Sequence, residues 1–190
     1  MSDAPEARLT PPGTPPDRRL VIASARLLLR QICLEDAPLI LEVLTDPDFI
    51  AYVGDRGVHD LAAAQRYIAA GVHSSYCAHG FGMYLVELRV NAAPLGICGL
   101  LRRDSHPDVE IGFAFLPRAR GQGYALEAAR ATVGYARDTL ALDRIVALTA
   151  PHNERSIRLL EHLGFRCERI VRFAPQGPDW SLLASESGRG

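Results

Sequence analysis

The chain is organised around the octapeptide Arg118-Ala119-Arg120-Gly121-Gln122-Gly123-Tyr124-Ala125. The apolar run 109–116 before it is typical of a buried strand, and the alanine-rich segment 126–140 after it predicts a helix. Glycines and arginines therefore stand where a strand turns into a helix. Free backbone N–H groups and the positive dipole end of a helix N-terminus favour an anion. The octapeptide is thus either a pyrophosphate cradle or a tight turn with solvated arginines.

The spacing inside this loop matches a known signature. Arg120-x-x-Gly123-x-Ala125 resembles the acyl-CoA motif of the GNAT acetyltransferase superfamily, which reads Gln or Arg, two residues, Gly, one residue, then Gly or Ala. The segments 109–113 (VEIGF) and 153–165 (NERSIRLLEHLGF) resemble the branch that includes the ribosomal-protein N-terminal acetyltransferases. These motifs in this order are more specific than a glycine-rich loop alone.

The resemblance covers residues 20–184 and implies the GNAT fold. That fold is an α/β (α+β) architecture with a mixed, mostly antiparallel central sheet flanked by helices, in which splayed strands form the acyl-CoA cleft. Hydrophobic periodicity and turn residues predict a strand in 20–30, helices at 35–44 and 60–77, strands at 83–90, 95–101 and 108–116, a helix at 126–140, a strand at 144–149, a helix at 153–164, and a hairpin of 167–173 with 180–184.

Polar residues and a glycine mark the ends of several predicted helices. Asp60 and Asn153 are suited to cap helix N-termini through their side-chain oxygens. Asp46-Pro47-Asp48 should end the first helix, because the residue before a proline is pushed out of helical geometry. Gly164 stands where a left-handed C-terminal residue is wanted. We expect the apolar residues of 49–53 to pack at the acceptor cleft.

Composition limits the kind of protein. With 190 residues and a formal charge of -1, the chain fits one domain and does not resemble a generic polyanion binder. No apolar run approaches the ~20 residues that span a bilayer. The four cysteines and six histidines lack metal-ligand spacing. We expect a cytoplasmic protein that uses no metal and binds neither nucleic acid nor membrane.

The ends of the chain differ in composition from its middle. Residues 1–18 include five prolines and few apolar side chains, which predicts a disordered leader. Residues 19–184 are predicted to form a single GNAT acetyltransferase domain. The polar residues 185–190 are predicted to be a loose tail.

The resemblance implies acetyl-CoA as the acyl donor. Pantetheine would pair with backbone groups of the strand that ends at Phe115 and Leu116, as an added strand does. The glycine loop would hold the pyrophosphate, and the start of the helix at 153 would contribute further contacts. The implied cofactor-binding residues are Phe115, Leu116, Arg118, Arg120, Gly121, Gln122, Gly123, Tyr124, Ala125, Asn153 and Ser156.

Glu110 is the candidate general base. In a strand its side chain lies opposite those of its neighbours, so the carboxylate can face a cleft while apolar residues are buried. The alternative is a solvent-facing residue or an ion pair with Arg102 or Arg103. Asp108 and Glu87 are weaker candidates.

Ser156 is the candidate donor to the departing thiolate. In the resembled branch a serine three residues after the asparagine takes this place, and the segment 153–164 contains no tyrosine that could replace it. The alternative is a first-turn serine that satisfies a backbone group. Asn153 can likewise bind cofactor, cap its helix, or do both.

The acceptor is predicted to be a primary amine of low pKa. An α-amine near pKa ~7.8 is about one-seventh neutral at pH 7, whereas a lysine near ~10.4 requires about 3.5 kcal/mol more to deprotonate. Peptide N-termini, aminoglycosides, polyamines and small metabolite amines all remain open. So do a catalytically silent CoA-binding sensor, a nucleotide-binding protein, and a monomer or homodimer.

Overall fold

An eight-stranded sheet forms the centre of the molecule. The computed structural model describes residues 18–103 and 106–186. The strands are β1 (Leu20–Ala23), β2 (Leu27–Gln31), β3 (Met83–Leu88), β4 (Pro94–Arg102), β5 (Val109–Phe115), β6 (Arg144–Thr149), β7 (Arg166–Val171) and β8 (Trp180–Glu186). Their order is β1-β2-β3-β4-β5-β6-β8-β7. Neighbours are antiparallel except β5 and β6, which are parallel. The predicted mixed, mostly antiparallel sheet is confirmed.

Helices cover both faces of the sheet. They are α1 (Ala37–Leu44), α2 (Pro47–Val53), α3 (Leu61–Tyr67), α4 (Ser74–His79), α5 (Tyr124–Asp138) and α6 (Glu154–His162). A π-helical segment, Ile68–His73, joins α3 to α4, so the helix predicted at 60–77 is present but is locally wider, with i→i+5 hydrogen bonds. Short 3-10 turns at Leu34–Asp36 and Pro117–Ala119 precede α1 and follow β5.

Three of the predicted helix ends are confirmed. The Asp60 carboxylate accepts from the backbone N–H of residue 63, and the Asn153 amide oxygen accepts from the backbone N–H of residue 156. Gly164 has φ 83°, and the N–H of Phe165 reaches back to the carbonyl of Leu160 at 3.0 Å. This is the hydrogen-bond pattern of a left-handed helix end, and the Phe165 side chain is buried beside it.

Several boundaries differ from the sequence-based expectation. The segment 20–30 is two antiparallel strands, because the chain turns at 24–26. Asp46 does not only end α1; its carboxylate accepts from the Phe49 N–H at 3.2 Å and so starts α2 with Pro47 in the first turn. β8 extends through Ser185 and Glu186, which were expected in the tail. The leader, apart from Arg18, and residues 187–190 lie outside the described residues.

Two apolar clusters hold the layers together. α5 packs on one face through small residues such as Ala128, Ala129 and Ala136, which are fully buried and allow close approach to Leu100 and Ile145. On the other face, α1 and α3 pack on Leu85 and Ile97. Truncating a fully buried leucine such as Leu85 to alanine costs about 2–5 kcal/mol in proteins generally. The sheet is therefore fixed on both faces.

The sheet opens between its two parallel strands. β5 and β6 pair only at Val109 with Ile145 and at Glu110 with Val146, after which they diverge. The rest of β5 keeps its antiparallel register with β4 up to Phe115. One long edge of β5 is thus left without a strand partner inside the sheet.

Candidate active site

A cleft of about 1100 Å³ lies where β5 and β6 diverge. Its walls come from β5 and β6, the glycine loop with the start of α5, the N-terminal part of α6, and α2 on the far side. Phe49, Tyr52 and Val53 of α2 line it, as expected, whereas Ile50 is 41% exposed. The motifs singled out in the sequence thus meet around one space.

The free edge of β5 presents backbone groups to this cleft. The N–H of Leu116 donates to the carbonyl of Leu95 on the β4 side at 2.9 Å. In an antiparallel ladder, the backbone groups of successive residues point alternately toward and away from the partner strand. The backbone groups of Ile111, Phe113 and Phe115 therefore face away from β4, toward the cleft. An extended amide chain could pair there as a strand does.

Leu116 is not on that edge, contrary to expectation. Its N–H is bonded to β4, and its side chain is 1% exposed within the core beneath α1. Phe115 lines the cleft, although its carbonyl already accepts from Arg120 Nε at 2.8 Å. The available N–H groups are therefore two residues apart, at 113 and 115.

The glycines of the loop are required by its backbone. Gly121 and Gly123 have φ values of 75° and 78°, in the left-handed region that other residues rarely adopt. Gly123 immediately precedes α5, and its carbonyl accepts the first helical hydrogen bond, from Glu127 N at 3.1 Å. Tyr124 and Ala125 follow in the first turn, whose N–H groups have no partner within the helix. The predicted anion-binding geometry is present at this position.

Arg120 and Arg118 lie at the loop, but carboxylates hold their side chains. Arg120 pairs with Asp46 at 2.5 Å and Asp48 at 2.7 Å, both at the start of α2. Arg118 forms a two-pronged contact with Glu42 of α1. The alternative in which both arginines are simply solvated is therefore wrong. These ion pairs join the loop to α1 and α2. The backbone of the loop, unlike its two arginine side chains, makes no hydrogen bond with these carboxylates.

Arg26 is a loop-holding residue that sequence reasoning missed. Its backbone N–H and Nε bond to the Glu127 carboxylate at 2.8 and 2.6 Å, and its Nη1 reaches the carbonyl of Gln122 at 3.1 Å. Its guanidinium lies 4.6 Å from the centre of the Tyr124 ring. Desolvation raises the pKa of Glu127, but the bonds from Arg26 and Ser24 outweigh it and lower the pKa overall. The one feature of the sequence that could have pointed to this residue is that Arg26 opens the run 26–30 (RLLLR).

Glu110 is buried in the wall of the cleft. Its side chain is 4% exposed; its Oε1 lies 2.7 Å from Arg103 Nε in an ion pair and forms a hydrogen bond with His106 Nε2 at 2.5 Å. The ion pair with Arg103, which the sequence offered as the alternative, is therefore present, and Glu110 also lines the cleft. Sequence reasoning missed His106.

The weaker candidates for a base lie elsewhere. Asp108 pairs with Arg144 at 3.2 Å, and Glu87 pairs with Arg30 at 3.1 Å. Neither carboxylate lines the cleft. Among the candidate bases, Glu110 is thus the one that the fold brings to the site.

Asn153 and Ser156 both line the cleft from the first turn of α6. The Asn153 side chain accepts from the Ser156 backbone N–H at 3.2 Å, so the capping role is confirmed. The Ser156 hydroxyl makes no hydrogen bond to any residue in 18–103 or 106–186. It therefore does not satisfy a backbone group, which was its alternative role.

The α2 and α3 side of the cleft carries two tyrosines, Tyr52 and Tyr67, near the arginines Arg56 and Arg103. Tyr67 is partly buried there; burial raises the pKa of its hydroxyl, while the two arginines oppose the rise. Across the described ranges, no cluster of three or more His, Cys, Asp or Glu side chains could hold a metal ion. None of the helices in those ranges is both long and apolar enough to cross a membrane.

This combination of splayed strands, glycine loop and capped α6 defines an acyl-transfer fold. A family profile described as an acetyltransferase (GNAT) domain matches residues 26–166. The chain belongs to the GNAT acetyltransferase family.

Individual proteins show the same likeness. The chain is 28% identical over 148 residues to an uncharacterized N-acetyltransferase, p20, of Bacillus licheniformis, covering 77% of this chain and 83% of the relative. A GNAT-family acetyltransferase structure from Bacillus anthracis superimposes with a TM-score of 0.72 at 26% identity, over 87% of this chain and 97% of that one.

More distant structures share the fold. The RimL ribosomal L7/L12 α-N-protein acetyltransferase has a TM-score of 0.75 at 14% identity, covering 89% of this chain and 94% of its own. A spermidine N-acetyltransferase from Vibrio cholerae, solved with CoA and spermine, has a TM-score of 0.72 at 18% identity, covering 86% and 96%. The ribosomal-protein acetyltransferases suggested by the motifs are thus among the structural neighbours.

Proposed function

We propose that this protein is an acetyl-CoA-dependent N-acetyltransferase that moves an acetyl group directly to a primary amine. The acceptor would be a protein or peptide N-terminus or a small-molecule amine. The observation that carries this proposal is the open edge of β5, which leads straight into the Gly121–Gly123 turn and the first turn of α5.

The residues present fit acetyl-CoA as substrate. Phe113 and Phe115 offer N–H groups at strand spacing for the pantetheine amides. The left-handed glycines and the N-terminal N–H groups of α5 suit the pyrophosphate. The fold neighbour from Vibrio cholerae was solved with CoA, which supports the same class of donor.

Acetyl transfer requires deprotonation of the acceptor, stabilisation of an oxyanion and stabilisation of the departing thiolate, and groups near the cleft can provide each of these. Glu110, directly or through water, takes a proton from the acceptor ammonium, and the neutral amine then attacks the thioester carbon. A cleft-facing N–H of β5 stabilises the oxyanion that forms. As the tetrahedral intermediate collapses, the carbon–sulfur bond breaks and the Ser156 hydroxyl hydrogen-bonds to the departing thiolate. The positively charged nitrogen loses its second proton and the thiolate gains one, so the products are the neutral amide and the CoA thiol.

The preferred acceptor in this proposal is an amine of low pKa. Among the candidate bases Glu110 alone lines the cleft, so the site offers one carboxylate for deprotonating the acceptor. Lysine would require about 3.5 kcal/mol more than an α-amine at neutral pH. We therefore expect higher turnover on N-terminal peptides than on lysine side chains, and comparable rates would contradict this preference.

The direct test is calorimetric titration of acetyl-CoA into the wild type and Gly123→Val. A side chain at Gly123 would be strained at φ 78° and would approach Arg26 Nη2, so binding should be lost. Gly80→Val is the matched control, because Gly80 has φ 76° at the end of α4, away from the cleft. A folded wild type that does not bind acetyl-CoA would refute the proposal. Binding without turnover on any amine would favour the silent CoA-binding module.

A further inference from the structure

The Glu110 carboxylate is held from one side only. Arg103 and His106 both contact Oε1, at 2.7 and 2.5 Å, and no residue in the described ranges donates to Oε2. The pair is also enclosed, since the His106 side chain is 11% exposed and that of Glu110 is 4% exposed. One oxygen is thus fixed, and the other is left to receive a proton.

The chemistry of the contact defines the state of His106. An ionised carboxylate can only accept hydrogen bonds, so Nε2 of the imidazole must carry the proton that it donates. In the neutral ring Nδ1 is then an unprotonated acceptor, and Nδ1 is buried without a hydrogen-bond partner among the described residues. A protonated ring would bury an unpaired Nδ1–H as well as a charge, which is costly.

We propose that His106 is a positioning residue for the general base. In its neutral, Nε2-protonated form it fixes Oε1 of Glu110 together with Arg103, so that Oε2 accepts the proton from the acceptor ammonium. That proton transfer yields a neutral amine and a carboxylic acid, which later returns the proton to solvent. The inference rests on the proposed acetyltransferase function and on Glu110 as its base.

The kinetic test compares two substitutions, with acetyl-CoA and an N-terminal alanine peptide as probes. His106→Ala should lower kcat about 10- to 100-fold with little change in the KM for acetyl-CoA, because a hydrogen bond to a charged group is lost. His106→Gln retains a hydrogen-bond donor for Oε1 of Glu110, so it should restore most of kcat. His59→Gln is the control, since His59 forms an exposed pair with Asp55.

Two kinetic results would overturn the proposal. One is a wild-type kcat in both His106 variants. The other is an equal loss of kcat in both variants together with a lowered melting temperature, which would show a purely structural role. If the wild type binds acetyl-CoA but acetylates no amine, the proposed function fails instead.

Nitrogen-15 NMR of the imidazole distinguishes failure of the His106 proposal from failure of the proposed function, because the measurement needs no acceptor. The wild type at neutral pH should show the Nε2–H tautomer of His106 with a strongly hydrogen-bonded proton. That signature should disappear in Glu110→Gln. A wild-type spectrum showing the Nδ1–H tautomer would refute the contact itself.

Discussion

The two walls of the cleft are built in different ways. The wall formed by the glycine loop, α5 and α6 uses backbone groups, whose positions follow from glycines and helix caps close together in sequence. The opposite wall uses side chains from α2, α3 and the β4–β5 connection, such as Tyr52, Tyr67 and Arg103. Under the proposed function, the first wall, which we call the donor wall, would bind acetyl-CoA, and the second, which we call the acceptor wall, would select the acceptor and hold the group that takes its proton.

Three arginines fix the glycine loop. Arg120 links it to α2 in the opposite wall and Arg118 links it to α1, while Arg26 holds it to α5 through Glu127 within the same wall. Because the Arg120 contact crosses between the walls, a substitution in one wall can disturb the other. Acetyl-CoA binding and turnover must therefore be measured separately to show which wall a substitution disturbs.

The largest expected effect lies in the acceptor wall. Glu110→Gln should lower kcat by ~10²–10⁴-fold, the range for positioned proton transfer, and leave the Kd for acetyl-CoA unchanged. Steady-state kinetics and calorimetry check this pair of values. Glu87→Gln is the matched control, a strand carboxylate paired with Arg30 outside the cleft. A parallel loss of binding in Glu110→Gln would show that the walls are not separable.

Ser156→Ala should have the next largest effect. A serine is a poor acid, so we expect about 10²-fold in kcat, at the low end of the range for proton donors. Asn153→Ala should behave differently, because loss of a helix cap costs about 1 kcal/mol of folding stability. Thermal unfolding of both variants separates the roles. Normal kcat in Ser156→Ala would remove the serine from the mechanism.

Arg26→Ala tests the donor wall and should act on binding. It removes a half-exposed ion pair, a bond to the loop carbonyl at 122 and a cation–π contact, together worth about 1–2 kcal/mol, or about tenfold in the Kd for acetyl-CoA. Arg172→Ala, which breaks a pair with Asp179, is the control, because the Arg172 side chain is about as exposed as that of Arg26. A fall in kcat with an unchanged Kd would contradict this assignment.

The donor wall was largely predictable from sequence. Gly121, Gly123 and the Asn153 cap are local requirements of backbone geometry, and residues that meet them stand at fixed spacing. The apolar alternation around Glu110 similarly placed its carboxylate on the face of β5 opposite Val109 and Ile111, which pack in the core beneath α5. The splay of β5 from β6, by contrast, was inferred from the resemblance and not from periodicity.

The long-range side-chain pairs were not predictable in the same way. Arg120 was read as an anion ligand, yet its partners Asp46 and Asp48 lie more than seventy residues earlier. Arg26 and Glu127 are 101 residues apart. Such pairs arise from tertiary packing, for which a single sequence has no periodic signal. Leu116 was placed on the free edge by the resemblance, and the pattern of apolar residues does not reveal which backbone groups of a strand face its partner.

The smallest expected effect is on the stability of the fold in acid. It is tested on two arginine–carboxylate pairs, Arg30–Asp36 beside α1 and Arg26–Glu127 in the donor wall. Asp36, beside α1, bonds to Arg30 at 2.7 and 2.9 Å; burial raises the pKa of its carboxyl, but Arg30 and the Cys33 N–H outweigh this and lower it. The pKa of Glu127 is lowered in the same way. A carboxyl whose folded pKa is depressed adds stability above its unfolded pKa, and this stability is lost as the pH falls through the folded value.

Acidification below the ordinary carboxyl range, near pH ~4, should therefore weaken both pairs. Denaturant unfolding at successive pH values should show a shallower pH dependence in Glu127→Gln than in the wild type, since one contributing carboxyl is gone. Asp36→Asn should flatten the curve further, because Asp36 is 7% exposed and Glu127 is 18% exposed. The reverse order would mean that the donor wall, and not the buried pair beside α1, limits the acid stability of the fold.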